Sequence, residues 1–111
     1  MGAREMIEFV QDQSQVLNLK FPVEVRLCFR DSVNDAEYIP RFNARGELKR
    51  HIIKLFIAEN NSRDVETLII HELIHAYQEE NKITEIHGKS FAKMAARFPD
   101  YPNIYIPELD E

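Results

Sequence analysis

Residues 65–77 have the sequence VETLIIHELIHAY, in which most positions are apolar. Their apolar positions cover most of the circumference of a helix, and a helix that is apolar nearly all round is a buried one. Ser62 is a suitable N-cap, and the first turn carries acidic side chains where the helix dipole favours them. The sequence therefore predicts a buried helix from about residue 63 through Tyr77, followed by a break at residues 78–82.

Three ionisable side chains interrupt this apolar helix, namely His71, Glu72 and His75. Histidines four positions apart lie one above the other on one helix face. The spacing His-Glu-x-x-His is typical of helices whose histidines bind zinc while the glutamate acts on a water at the metal. Burying three such groups is costly unless a partner such as a metal satisfies them. The alternative is that both histidines are core residues that hydrogen-bond to the backbone.

A catalytic zinc site needs a third protein ligand, and His87 is the main candidate. It begins a stripe with spacing i, i+4, i+7, i+11 whose other members are Phe91, Met94 and Phe98. This spacing predicts a second, shorter helix from about residue 88, with the stripe facing the core. Glu85, two positions earlier in the chain, is the main rival ligand. Glu79 is a further alternative, although its position on the helix directs it away from the histidine pair.

Three stretches before the central helix have the composition of β-strands. Apolar and polar residues alternate over residues 23–29, residues 38–42 form a shorter extended piece, and residues 51–57 are rich in β-branched and aromatic side chains. Pro40 interrupts the second stretch, which places it at an edge of the sheet. The spacing over residues 4–19 predicts a further, N-terminal helix. The predicted fold class is α+β, with this helix, a small three-stranded sheet, and the two later helices.

The chain has 111 residues, which is enough for one domain, assigned to residues 1–98, with an extended tail over residues 99–111 packed on it. The formal net charge is −5, so nucleic-acid binding is not expected. No apolar run approaches the ~20 residues that cross a bilayer, so no membrane association is expected. Cys28 is the only cysteine, which excludes an internal disulfide and favours the cytoplasm.

Two motifs give the chain a resemblance to a known family. They are His-Glu-Leu-Ile-His-Ala at residues 71–76 and His-Gly-Lys-Ser-Phe at residues 87–91. In these motifs the chain resembles the SprT-like zinc metallopeptidases, over roughly residues 50–98. The resemblance implies a minimal zincin-like domain that binds Zn²⁺ through three histidines, with His87 as the third, and that uses Glu72 as the catalytic base. The chain is also similar to small archaeal metallopeptidases, the minigluzincins and their relative selecase, some of which are latent.

These features predict a zinc-dependent endopeptidase that acts on a protein or peptide substrate. Glu72 is expected to take a proton from the zinc-activated water and deliver it to the leaving amine. The oxyanion needs a further donor, and the candidates are Tyr77, Tyr101, Tyr105 and His51. In related zincins a strand at the position of residues 51–57 pairs with extended substrate. Two alternatives are a zinc-binding regulatory or interaction module without turnover and a metal-free interaction domain.

The tail has two interpretations. In the first, its apolar residues cover an exposed flank of the core, and its acidic end is a solvated terminus. In the second, it lies along residues 51–57 like a substrate and brings Glu108, Asp110 or Glu111 to the metal, which would make the enzyme latent. Self-association of the chain is a further expectation.

Overall fold

The computed structural model describes residues 2–29, 35–56 and 64–105. In chain order the elements are α1 (Ala3–Val16), β1 (Val23–Cys28), β2 (Ala36–Phe42), β3 (Leu48–Phe56), α2 (Val65–Glu80) and α3 (Lys89–Ala95). The predicted α+β class is confirmed, and every predicted helix and strand has a counterpart. Helix α1 is shorter than predicted because Asn18 adopts a left-handed φ of 55°, a conformation that ends helices.

The three strands form one sheet in which β3 is central, in the order β1-β3-β2. Strand β1 is parallel to β3, and β2 is antiparallel to it. The amide of His51 donates to the Pro22 carbonyl at 2.9 Å on one side, and the amide of Phe56 donates to the Asp35 carbonyl at 2.9 Å on the other. Because β3 is paired along both sides, it has no edge for a substrate or for the tail, and that prediction for residues 51–57 is wrong.

Pro40 lies in β2, at an edge of the sheet, as the sequence predicts. In an antiparallel pair, residues whose backbone groups face the partner strand alternate with residues whose groups face away, and the hydrogen bond from the Phe56 amide to the Asp35 carbonyl identifies which are which. This alternation directs the backbone groups of Ile39 towards β3 and those of Tyr38 and Pro40 away from it. The missing N–H of the proline therefore falls on the outer side of β2, where it costs the ladder no hydrogen bond.

Helices α1 and α2 pack on the face of the sheet that carries Ile53 and Leu55. Between these layers lies a core of buried apolar side chains: Val10, Leu17, Ile53, Leu55, Leu68, Ile69, Ile70, Leu73, Ile74, Phe91, Met94, Phe98 and Ile104. Helix α2 supplies more of them than any other element, so the predicted buried helix is confirmed.

The ends of α2 differ from the prediction. Asp64 is the N-cap, and its carboxylate accepts a hydrogen bond from the Thr67 amide at 2.7 Å. Ser62, the predicted N-cap, lies outside the described residues. At the other end the helix continues past Tyr77 to Glu80, so the predicted break at residues 78–82 begins three residues too early.

Residues 99–105 follow two turns, whereas the sequence predicts an extended course. The Tyr101 amide donates to the Phe98 carbonyl at 3.0 Å, and the Ile104 amide donates to the Tyr101 carbonyl at 3.4 Å. A proline is the second residue of each turn, where its fixed φ is favourable. Ile104 is buried in the core. Residues 106–111, with the three acidic side chains considered for autoinhibition, lie outside the described residues.

Candidate metal centre

Three histidine rings converge beside α2. The Nε2 atoms of His71 and His75 lie 3.3 Å apart, those of His75 and His87 3.1 Å, and those of His87 and His71 3.2 Å. A tetrahedral zinc ion with bonds of 2.0–2.1 Å separates its ligand nitrogens by roughly 3.3–3.4 Å. The three atoms thus have the spacing of a zinc site. In the described part of the chain, no other cluster of three histidine, cysteine or acidic side chains has such a spacing.

In two of the rings, a hydrogen bond at Nδ1 determines that the unprotonated nitrogen, Nε2, faces the cluster. Nδ1–H of His71 donates to the carbonyl oxygen of Ile104 at 2.8 Å, and Nδ1–H of His75 donates to Oε1 of Gln78 at 2.9 Å. A neutral imidazole that carries its proton on Nδ1 presents an unprotonated Nε2, which is the form that binds a metal. The chemistry and spacing of these donors therefore fit Zn²⁺.

Gln78 is the residue that connects the helix to the third histidine. Its Nε2 donates to the carbonyl oxygens of Glu85 at 2.9 Å and Ile86 at 3.0 Å, directly before His87. These donor contacts assign Oε1 to His75, so one buried side chain orients the His75 ring and holds the backbone that leads to His87. Sequence analysis missed Gln78 because it placed this position in a break, although its i+3 spacing from His75 puts both on one helix face.

Phe91 forms the apolar floor of the cluster. Its ring is fully buried, and its centroid lies 4.7 Å from that of His71 and 5.1 Å from those of His75 and His87. Because α3 starts at Lys89, His87 precedes this helix, and Phe91 sits in its first turn. The His-Gly-x-x-Phe spacing thus places the candidate ligand His87 and the Phe91 ring that packs against it together at the start of α3.

Glu72 and His75 line one part of an open cleft of about 1010 Å³ beside α2. Glu72 is 5% exposed and follows His71 directly in the helix. The cleft continues past Tyr38 of β2 towards Glu80. Its lining also includes Phe21, Phe42, Leu48, Ile83 and Ile86. A carboxylate beside three converging histidines, in an open cleft, is an arrangement suited to metal-assisted hydrolysis.

Glu85 lies outside the cluster, because its carboxylate is turned towards the start of α3. Its Oε1 accepts a hydrogen bond from the amide of Ser90 at 3.2 Å. A Cβ at Gly88 would come within 2.0 Å of this carboxylate, so glycine at that position leaves room for it. The structure therefore brings His87, and not Glu85, to the two helix histidines.

His51, a candidate oxyanion donor, is fully buried in a separate network. Its Nε2 donates to Oε2 of Glu80 at 2.6 Å, and its Nδ1 forms a hydrogen bond with the Tyr38 hydroxyl at 2.7 Å. Burial, together with the nearby carboxylates of Glu79 and Glu80, raises the pKa of Tyr38 above its ordinary value. Both ring nitrogens of His51 are thus engaged in a buried network separate from the three-histidine cluster.

The three candidate tyrosines also differ in position. The Tyr101 hydroxyl donates to Oε2 of Glu66 at 2.8 Å; burial and this hydrogen bond raise its pKa to about 12. Tyr77 and Tyr105 both pack against the apolar core, and neither of them lines the cleft. The ring of Tyr105 lies 5.7 Å from that of Phe91, which itself contacts the three histidines. Of the four candidates, Tyr105 is therefore the one that the structure links to the cluster.

A helix with two histidines four apart, an adjacent glutamate and a later third histidine defines a metallopeptidase-type metal site. The sequence model of the SprT-like family matches residues 30–106, and the chain belongs to this family. This confirms the resemblance based on the two motifs. No curated protein and no solved structure matches the chain, so the similarity to minigluzincins stays a prediction. In the described residues, no helix is long and apolar enough to cross a membrane.

Proposed function

We propose that this protein is a zinc-dependent endopeptidase in which His71, His75 and His87 hold the metal and Glu72 is the general base. The observation that carries this proposal is the convergence of three Nε2 atoms within 3.3 Å beside a buried carboxylate in an open cleft. Zinc bound there would lower the pKa of a coordinated water towards ~7 and polarise the scissile carbonyl.

The chain's own residues supply the proton transfer. The Glu72 carboxylate accepts a proton from the attacking water, and the resulting acid gives that proton to the leaving amine. The side chain is 5% exposed, so it is held by its surroundings and does not move freely in solvent. The Ile104 carbonyl and the Gln78 side chain accept hydrogen bonds from Nδ1–H of His71 and of His75, which orients these two rings, and Glu72 is not a member of the cluster of potential ligands.

The substrate is proposed to lie along β2, because β2 is the edge strand that borders the cleft. The ladder directs the backbone groups of Tyr38 outward, and an extended peptide can pair with such groups. Pro40 contributes a carbonyl but no N–H, so pairing is weaker beyond this residue. Tyr105 is the proposed oxyanion donor, because its ring lies 5.7 Å from that of Phe91, which contacts the three histidines, whereas His51 and Tyr101 are hydrogen-bonded to Glu80 and Glu66.

The test compares Glu72→Gln with the wild-type protein, both loaded with zinc. We expect normal zinc content by elemental analysis and a loss of peptide-bond cleavage of about a thousandfold or more, measured on an unfolded protein substrate and read by mass spectrometry. Glu66→Gln is the matched control, because Glu66 is on the same helix but outside the cleft, and its activity should be unchanged. Full cleavage by Glu72→Gln would refute the proposed role of Glu72.

The ligand set is tested separately with His87→Ala and Glu85→Gln. We expect the first to lose most of its zinc and the second to keep it, because only His87 joins the cluster. A His87→Ala variant that retains stoichiometric zinc would refute the ligand assignment. Zinc bound by all three histidines without any cleavage would instead favour the non-catalytic binding module.

The proposed latency concerns Glu108, Asp110 and Glu111, and the structure dictates where a truncation can be made. Removing the whole tail after Phe98 also removes Ile104, whose carbonyl accepts from His71. Truncation after Tyr105 keeps that hydrogen bond and removes only the acidic end. If the acidic end blocks the metal, this variant will cleave faster than the full chain; equal rates would argue against latency.

A further inference from the structure

We propose that β1 is a dimerisation edge, at which two copies of the chain pair antiparallel about Val25 and join their sheets into one of six strands. This surface lies at the opposite edge of the sheet from β2 and the cleft, and it is independent of the proposed catalysis. The occupant that fits this edge is a second copy, because the edge is complementary to itself in backbone direction and in charge.

The backbone of β1 leaves one set of hydrogen-bonding groups directed outward. The Pro22 carbonyl accepts from the His51 amide, so in the parallel ladder the groups of Glu24 and Arg26 also face β3. The N–H and C=O groups of Val23, Val25 and Leu27 consequently point away from the sheet. In the described part of the chain, β1 has no strand on that side.

These outward groups match a second copy in one register. With Val25 opposite Val25 of the other copy, Val23 falls opposite Leu27, and all three pairs are of the hydrogen-bonded type. Glu24 then falls opposite Arg26 in the non-hydrogen-bonded pairs, where side chains come closest. Moving the two-fold axis by one residue would set two glutamates or two arginines against each other, so the charges select the register about Val25.

The side chains of Glu24 and Arg26 are exposed enough to pair with those of a second copy. Glu24 and Arg26 form an ion pair at 2.9 Å within one chain, with side chains 43% and 40% exposed. Because both side chains lie on the solvent side of the strand, each can pair with the second copy without leaving a buried group unpaired. Four alternating charges would then lie together on one face of the joined sheet.

The opposite face of β1 is apolar and incompletely covered. Helix α1 lies over it, but a groove of about 310 Å³ remains between Ile7 of the helix and Val25 and Leu27 of the strand. Ile7 is 59% exposed and Leu27 is 46% exposed. Because the two-fold axis is perpendicular to the sheet, both α1 helices lie on the same side, and the two grooves become continuous. Pairing would thus cover apolar surface as well as the strand edge.

The experiment measures the dimer dissociation constant of the full chain by sedimentation equilibrium over a range of concentrations. We expect a wild-type dimer and a dissociation constant at least about tenfold weaker in both Arg26→Glu and Glu24→Arg, because like charges then face each other. An equimolar mixture of the two variants should recover the wild-type constant, since each supplies the charge the other needs. The double variant Glu24→Arg with Arg26→Glu should recover it alone.

Two further variants complete the test. Arg41→Glu on β2 makes the same charge change away from this edge and should leave the dimer unchanged. Val25→Pro removes an outward N–H and no bond to β3, so it should weaken the dimer even if a charge variant fails to fold. A wild-type chain that is monomeric at all concentrations, or a mixture that does not recover dimerisation, would overturn the proposal.

Discussion

Replacing Gln78 by alanine should show how strongly zinc binding depends on the orientation of the proposed ligands, because the substitution leaves all three histidines in the chain. The substitution removes four hydrogen bonds: one accepted from Nδ1–H of His75, one donated to each of the carbonyls of Glu85 and Ile86, and one donated to the Ser90 hydroxyl. Each is worth about 0.5–1.5 kcal/mol net, and the partners left behind are shielded, so we expect unfolding free energy to fall by about 2–4 kcal/mol. Removing such a partner of a metal ligand also weakens metal binding by about 10–100-fold.

The assay is a zinc titration against a competing chelator, paired with urea unfolding of the metal-free protein. Gln78→Glu is the informative second variant, because its carboxylate still accepts from His75 but no longer donates to the two carbonyls. It should therefore be destabilised while keeping most of its zinc affinity. Gln15→Ala on α1 is the control for an exposed glutamine. If Gln78→Ala bound zinc within about twofold of wild type, Gln78 could not be what positions the rings.

Two other substitutions test the network and the tail. The side chain of Glu80 is 5% exposed and accepts hydrogen bonds from His51 and from the amides of Lys20 and Phe21. Glu80→Gln should therefore lower the unfolding free energy, measured in urea, by about 3 kcal/mol, whereas Glu79→Gln should change it little. Equal effects of the two substitutions would contradict this. The pKa of Tyr101 is raised to about 12 in the folded state, so the contribution of this residue to the unfolding free energy should be fully present below about pH 10 and be lost as the pH rises towards 12. Tyr101→Phe should flatten this decline in urea midpoints, and an unchanged slope would contradict it.

The helix that carries the metal site could be predicted because its signal is local. The apolar periodicity around His71 and His75 identifies a buried helix, and the helix geometry alone brings those two rings together. His87 follows from a second local pattern, the stripe that continues through Phe91. Each of these inferences needs only residues within about one or two helical turns of one another.

The strand order was not predicted, because pairing between strands is decided by contacts far apart in sequence. A signal was nevertheless present. Residues 52–53 form a continuous apolar pair within β3, which is typical of a strand covered on both faces, whereas residues 23–29 alternate as a one-sided strand does. Alternation over residues 23–29 reveals which side chains share a face but not whether another element covers that face, and Leu27 is 46% exposed.

Buried polar contacts between distant residues also escape sequence reasoning, and here they connect the proposed site to the rest of the fold. His51 meets Glu80 across 29 positions, and His71 meets the Ile104 carbonyl across 33. Neither Glu80 nor Ile104 lies in one of the two motifs. The second contact has a functional consequence, because the segment considered as an inhibitor also supplies a hydrogen bond that orients a proposed zinc ligand. The tail up to Tyr105 therefore belongs to the site, and any inhibitory role has to reside in the residues that follow.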